Sequence, residues 1–339
     1  MVSRQTVRSA AVWHAADVVD TSRCCTHLTS LQQDAIVEAA NRAFEIGRTS
    51  ATIERSDFEL PVLGPTVVKW AETLNEGCGF ILLRGFPVDK LSPEATELAY
   101  LGLGMQLGTP VGQDADASLL GHVRDEGVVR SDPSVRLYRT RERQDFHTDG
   151  ADVVGLLCLQ GAKSGGESRI ASSFAVYNEI LLRRPDLVDV LYESMYWDRN
   201  DEQSPGDDPY FALPVFSDVA GTPRMFYIGW YIRDAQRHPQ VPRLTGPQRE
   251  AMDLIESIAN DPTFYLEMDF KPGDIQLLAN AKILHCREAY EDHDDRDRRR
   301  HLLRLWLTAH AFTSVDAVLR GGIPKQERSS EPATTRTAT

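Results

Sequence analysis

His147 stands two residues before Asp149 in the segment 145–149 (DFHTD), and His285 ends a mostly apolar run, 275–285, far downstream. Side chains alternate along an extended chain, so His147 and Asp149 share one side of it. Two imidazoles and one carboxylate can hold a divalent metal on one face. They leave its other coordination positions open, the arrangement associated with non-haem Fe(II) oxygenases. The spacing alone is weak, because His293 and Asp295 repeat it. Context separates the two. His293 lies in a run, 291–300, in which nearly every residue is charged, which reads as a solvated loop. His147 follows Phe146 and precedes the apolar run 153–159.

Taken alone, a histidine at the end of an apolar strand is more often a satisfied core residue than a ligand. The neighbourhood of His285 argues for the ligand role. The turn 271–274 (KPGD) launches its strand, Asn280 interrupts the apolar run, and Arg287 shares its face. An alternating strand follows at 300–307. Arg300, Leu302, Arg304 and Trp306 point one way; His301, Leu303, Leu305 and Leu307 point the other. The second face is nearly all apolar and should meet the core or a covering helix. The two arginines on the first face then need anions or water. One reading is a solvated surface. The other is a pocket that holds a carboxylate, which a planar guanidinium grips with paired hydrogen bonds.

Several elements must position these groups. Helical spacing predicts helices at 29–44, 65–76, 93–108, 173–182, 185–194 and 246–260. Short β-prone runs fall at 79–85, 153–159, 167–173, 224–232, 274–278, 281–285 and 302–309. Many short strands after an α/β start suggest a sandwich or jelly roll, not a doubly wound parallel sheet. The polar stretch 197–209 reads as a surface loop or lid. Residues 321–339 read as a disordered tail. His122 is open to a substrate-facing role but reads better as a structural or surface residue. Tyr227 and Trp230 are open to lining a pocket, although aromatics on a strand are more often core. Arg84 reads as a structural hydrogen-bonding residue.

The 339 residues carry 37 Lys+Arg against 50 Asp+Glu, a net charge of −13. No long basic stripe occurs, which argues against a nucleic-acid partner. The five cysteines are odd in number and form no C-x-x-C pair. A disulfide framework or thiolate zinc site is therefore not expected, and adjacent Cys24 and Cys25 should be reduced thiols. Cys286 reads as packing. No leader peptide or membrane-length apolar run is visible, so the expected location is cytoplasmic.

The segments 79–87 (GFILLRGFP), 107–111 (LGTPV), 146–149 (FHTD), 163–168 (KSGGES), 271–274 (KPGD), His285 and 299–306 (RRHLLRLW) occur in this order. Together they resemble the taurine-dioxygenase (TauD/TfdA) family, with clavaminate synthase as a relative, over about residues 75–310. The resemblance implies a mainly β fold with flanking helices, built on a double-stranded β-helix or jelly-roll core. It implies a single domain over 1–320, with an N-terminal α/β portion to about 110 and the jelly roll from about 111. It implies Fe(II) bound by His147, Asp149 and His285, with 2-oxoglutarate and O2 as cosubstrates. Arg300 would pair with the distal carboxylate of 2-oxoglutarate, and Ser168 would hydrogen-bond it. Arg304 would lie one step deeper, against cosubstrate or prime substrate. Arg298 and Arg299 leave room for a small register shift, although the face argument favours Arg300 with Arg304.

The implied activity is hydroxylation of a small molecule, anionic or amino-acid-derived, with release of succinate and CO2. A carboxylate at 149 argues against a halogenase, since it fills the position a halide would need. The alternatives are a metal-binding jelly-roll isomerase, a catalytically silent binding protein or, less well supported, a hydrolytic zinc enzyme. The last has no use for two inward arginines. Titration with Fe(II) tests the choice between the two histidine motifs. His147→Ala or Asp149→Ala should lose the metal, and His293→Ala should keep it.

Overall fold

The computed structural model describes residues 4–20, 24–114, 116–128, 135–203, 205–219 and 221–312. Among the described residues, the main sheet has seven strands. Six run in the order Cys25–His27, Phe80–Arg84, Ile275–Ala279, Val153–Gln160, His301–Ala309 and Gly108–Pro110, and Leu120–Val123 also pairs with His301–Ala309. Cys25–His27 pairs in parallel with Phe80–Arg84; the other pairings are antiparallel. A four-stranded sheet, Tyr265–Met268, Ser168–Ser172, Ile283–Arg287 and Gln144–His147, faces it. The protein is mainly β with flanking helices, and the two facing sheets form a jelly-roll core.

Period-two alternation decides which residue enters which layer. Ile81, Leu83, Leu157, Leu303, Leu305 and Leu307 leave the main sheet on its outer face. There they pack with Ala39, Trp70 and Leu98 of the helices Ser30–Glu45, Gly64–Asn75 and Pro93–Leu107. Phe80, Leu82, Val154, Leu278 and Trp306 leave on the inner face and meet Ile170, Met268 and Ile283 of the smaller sheet. Phe146, Ala171, Leu284 and Cys286 leave the smaller sheet outward. They pack under the helices Ser173–Arg183, Pro185–Leu191 and Gly246–Ala259. The order of layers is helices, sheet, sheet, helices. The space between the sheets is where alternation also sends His147, His285, Arg300 and Arg304.

The expected helices are present within a few residues of their bounds. Thr29, Ser92 and Thr245 cap three of them, each accepting a hydrogen bond from a backbone N–H of the first turn. The run 224–232 is different. Its strand is only Thr222–Met225, and Gly229–Asp234 is a helix. The strand stops because Tyr227 pairs with Thr148, N–H to side-chain oxygen at 3.0 Å and carbonyl to N–H at 2.7 Å. Trp230 is thereby a helical residue, not a strand core residue. Trp197 and Asp198, expected in a surface loop, end the buried strand Ser194–Asp198, where the Trp197 indole donates to the Leu213 carbonyl at 2.8 Å. Only the remainder of that stretch joins it to Tyr210–Pro214.

The cysteine expectation is corrected at one pair. Cys24 is joined to Cys78 in a disulfide, while Cys25 is free. Parallel pairing of Cys25–His27 with Phe80–Arg84 brings Cys24 beside Cys78 across 54 residues, which no local spacing reveals. The stretch 321–339, expected to be a tail, lies outside the described residues. No described helix is long and apolar enough to cross a membrane.

Helix Pro93–Leu107 approaches its neighbours through glycine. A Cβ at Gly102 would lie 2.1 Å from Cγ of the fully buried Phe58. Overpacking of this kind costs about 1–3 kcal/mol. Gly102→Ala should lower the thermal midpoint without changing metal affinity, a pair of measurements that separates packing from the site.

Candidate active site

His147 ends the strand Gln144–His147 and is the direct cross-strand partner of His285 on Ile283–Arg287. Their ring centroids are 4.1 Å apart. Asp149 follows in the turn towards Val153–Gln160. One of its carboxylate oxygens is 4.0 Å from His147 Nε2 and the other 3.8 Å from His285 Nε2. Asn280 pins this turn: its Oδ1 accepts from the Asp149 N–H at 3.1 Å, and its Nδ2 donates to the Ala151 carbonyl at 2.8 Å. The residue that interrupts the apolar run is thus the clamp that holds the carboxylate in register with the histidines.

Metal-ligating atoms of the three residues lie within 4.8 Å of one another, and all three residues are buried. His147 Nδ1 faces the Asp145 carbonyl at 2.8 Å. That contact keeps the proton on Nδ1 and turns the Nε2 lone pair towards Asp149. The Gln144 amide nitrogen lies 3.1 Å from the same Nε2. Burial lowers the pKa of both histidines, that of His285 to about 3, with the neighbouring His147 adding to the effect there. Both rings are neutral at pH 7 and have lone pairs to give. Burial alone would raise the Asp149 carboxyl, but Arg304, then the two histidines and the Trp306 indole, hold it below the ordinary carboxylate range. The Trp306 indole donates to Asp149 at 3.0 Å, and an Arg304 nitrogen lies 3.6 Å from it. Two neutral imidazoles and an ionised carboxylate, buried together, fit a divalent cation and suit Fe(II).

The arginine strand behaves as its alternation predicts. Arg300 and Arg304 are both buried and inward. Nη1 of Arg300 is buried and finds no hydrogen-bond partner among the described residues. Burial lowers the Arg300 pKa, which is the cost of keeping a guanidinium without a carboxylate partner out of water. Gly166 makes room for it: a Cβ there would meet Arg300 Nε at 3.1 Å, and its φ of +78° disfavours other residues. Ser168 donates to Gln276 Oε1 at 3.2 Å and lines the same chamber as Arg300 and His285. A buried cation with an idle donor, beside a hydroxyl and next to the His-Asp-His cluster, fits the distal carboxylate of a 2-oxo diacid.

Two chambers meet at the triad. One is lined by Leu156, Ser168, Phe270, His285, Arg287 and Arg300. The other is lined by Arg136, Asn200, Glu202, Phe211, Trp230 and Tyr231. Tyr138, Gln144, His147, Asp149 and Arg304 border both. Arg304 is held there by Gln113, whose Oε1 accepts from Nε at 2.7 Å and whose amide donates back to the Arg304 carbonyl at 2.9 Å.

Sequence reasoning missed most of the second chamber. Trp230 does line it, its ring 4.9 Å from that of His147, the alternative to the strand-core role that the sequence left open for it. Arg136 pairs with Glu202 (Nε to Oε1 2.8 Å) and donates to the Tyr231 hydroxyl at 3.2 Å, joining segments that have no local relation. Gln144 was hidden by a bulge. His285 pairs with His147 but Arg287 pairs with Gln144, so Gln144 and His147 reach one site despite odd spacing. His122 lines neither chamber; its Nδ1 lies 2.9 Å from His301 Nε2. His293 lies outside the triad, on the charged loop where Arg299 donates to its carbonyl at 3.2 Å.

The Trp306 indole tests the carboxylate environment. Losing a group that orients a ligand typically costs 10–100-fold in metal affinity. Trp306→Phe keeps an aromatic ring but not the donor. Its Fe(II) dissociation constant should rise about tenfold in an anaerobic titration.

Residues 45–306 match the model of the taurine catabolism dioxygenase TauD, TfdA family. The chain is 32% identical over 315 residues to FR-33289 synthase of Streptomyces rubellomurinus, covering 90% of this chain and 91% of that protein. It is 32% identical over 283 residues to the taurine hydroxylase-like protein SAT17 of Stachybotrys chartarum, covering 79% of this chain and 71% of that one. The fold is similar to asparagine oxygenase in complex with Fe(II), 2S,3S-3-hydroxyasparagine and succinate. That match has a TM-score of 0.67 at 18% identity and covers 84% of this chain and 94% of the other. With its His-Asp-His cluster between two facing sheets, the chain belongs to the TauD/TfdA family of dioxygenases, which use Fe(II) and 2-oxoglutarate.

Proposed function

We propose that the protein hydroxylates an unactivated C–H bond of a small anionic or amino-acid-derived molecule. His147, Asp149 and His285 hold Fe(II), and Arg300 with Ser168 holds the distal carboxylate of 2-oxoglutarate. The supporting observation is the junction: one buried triad bordered by an arginine chamber on one side and a second, polar and aromatic chamber on the other. Bound there, Fe(II) and 2-oxoglutarate would supply O2-dependent oxidation, in which one oxygen atom ends in succinate, with loss of CO2, and the other in the hydroxylated substrate.

The chain itself positions and shields. Gln113 fixes Arg304 on the wall common to both chambers, where its charge can meet a substrate anion near the metal. Trp230 and Tyr231 form an aromatic wall for the second chamber, and the Arg136–Glu202 pair closes one side of it. The hydroxyasparagine bound by the structurally similar asparagine oxygenase is in keeping with an amino-acid-like substrate. One catalytic unit spans 1–320, its N-terminal α/β part reaching about 110.

Succinate formation from 2-oxoglutarate, with Fe(II), ascorbate and a panel of amino acids and small anions, tests the activity. Absence of both turnover and 2-oxoglutarate binding would leave a silent binding protein or an isomerase. For Arg300→Ala, loss of one partner of a buried charge pair should cost about 2–5 kcal/mol of cosubstrate binding. Unchanged affinity would mean that the distal carboxylate binds elsewhere.

A further inference from the structure

The cosubstrate chamber contains a second guanidinium. Arg287 lies two residues after His285 on the same inner face and is the cross-strand partner of Ser168. It is buried, with 6% of its surface exposed. Its Nη2 donates to the Glu142 carbonyl, but its Nε and Nη1 are buried and have no hydrogen-bond partner among the described residues. The Arg287 and Arg300 guanidiniums lie 5.0 and 5.1 Å from the centroid of the same Tyr290 ring. Neither forms a salt bridge with a described carboxylate, although most other described arginines with a buried or half-buried side chain do. Two like charges buried in one chamber against the same ring, with three idle donor atoms in all, form a stronger site for an anion than one arginine would.

We infer that Arg287 is a specificity-determining residue that binds the distal carboxylate of 2-oxoglutarate together with Arg300. The carboxylate has two oxygens and about four acceptor positions, enough for donors from both guanidiniums and the Ser168 hydroxyl. The pair selects a diacid over a 2-oxo monoacid, because a ligand without the distal carboxylate leaves both cations buried and unpaired. The inference rests on the Arg300 reading above.

The test uses the full chain loaded with Mn(II) in place of Fe(II), without O2, so that binding is read in the absence of turnover. Calorimetric affinities for 2-oxoglutarate and for 2-oxobutyrate, which lacks the distal carboxylate, are compared in wild type, Arg287→Met, Arg287→Lys and Arg300→Met. In Arg287→Met the 2-oxoglutarate affinity should fall by roughly 30-fold or more while 2-oxobutyrate affinity stays unchanged. Arg287→Lys should recover part of the loss, and it replaces the Met variant if that fails to fold. The ligand-free melting temperature of Arg287→Met should hold or rise, since an unpaired buried cation has been removed beside Arg300. Unchanged 2-oxoglutarate affinity in Arg287→Met, or a parallel loss of 2-oxobutyrate affinity, would overturn the proposal and leave Arg287 as a prop for the Glu142 segment. An Arg300→Met variant with wild-type selectivity overturns the Arg300 reading instead, which keeps the two failures distinguishable.

Discussion

A carboxylate buried between two sheets must be neutralised, and the centre of this protein is organised around that requirement at Asp149. The Arg304 guanidinium, the Trp306 indole and two imidazoles converge on it from three different strands. Desolvation pushes the carboxyl towards its neutral form; the surrounding donors and charge outweigh it and hold the anion. The same burial keeps His147 and His285 neutral. Acceptors are thus gathered with no protons between them, the state a metal needs.

The sheets supply the geometry. His147 and His285 face each other because they are a cross-strand pair, so their separation follows from ladder spacing. Asp149 comes from the chain as it leaves one sheet for the other, and Asn280 fixes that departure. The site therefore sits at a seam. Both sheets must be paired in register for the triad to exist.

The arginines divide the space around the seam. Arg304 is held by Gln113, lies 3.6 Å from Asp149 and stands between the chambers. Arg300 and Arg287 are left with idle donors deep in one chamber. In the other, Arg136 is already paired with Glu202. Idle donors on one side and paired ones on the other give the two chambers different electrostatic character.

Alternation made much of this legible in the linear chain. The inward direction of Arg300 and Arg304, the shared side of His147 and Asp149, and the apolar backing at Leu303, Leu305 and Leu307 follow from a period of two, which holds wherever a strand is regular. Helix bounds were legible because their caps are local. Three things were not. The bulge that sets Gln144 beside His147 breaks the period, and only the partner strand creates it. The helix that carries Trp230 begins because Tyr227 is held by Thr148, 79 residues away in sequence. Cys24 meets Cys78, and Arg136 meets Glu202, through chain crossings that no local pattern encodes. Sequence by itself determined which residues could serve a metal and a carboxylate, since identity and parity are local. Tertiary structure alone decided which donors are left without partners, because desolvation and pairing are properties of the packed interior.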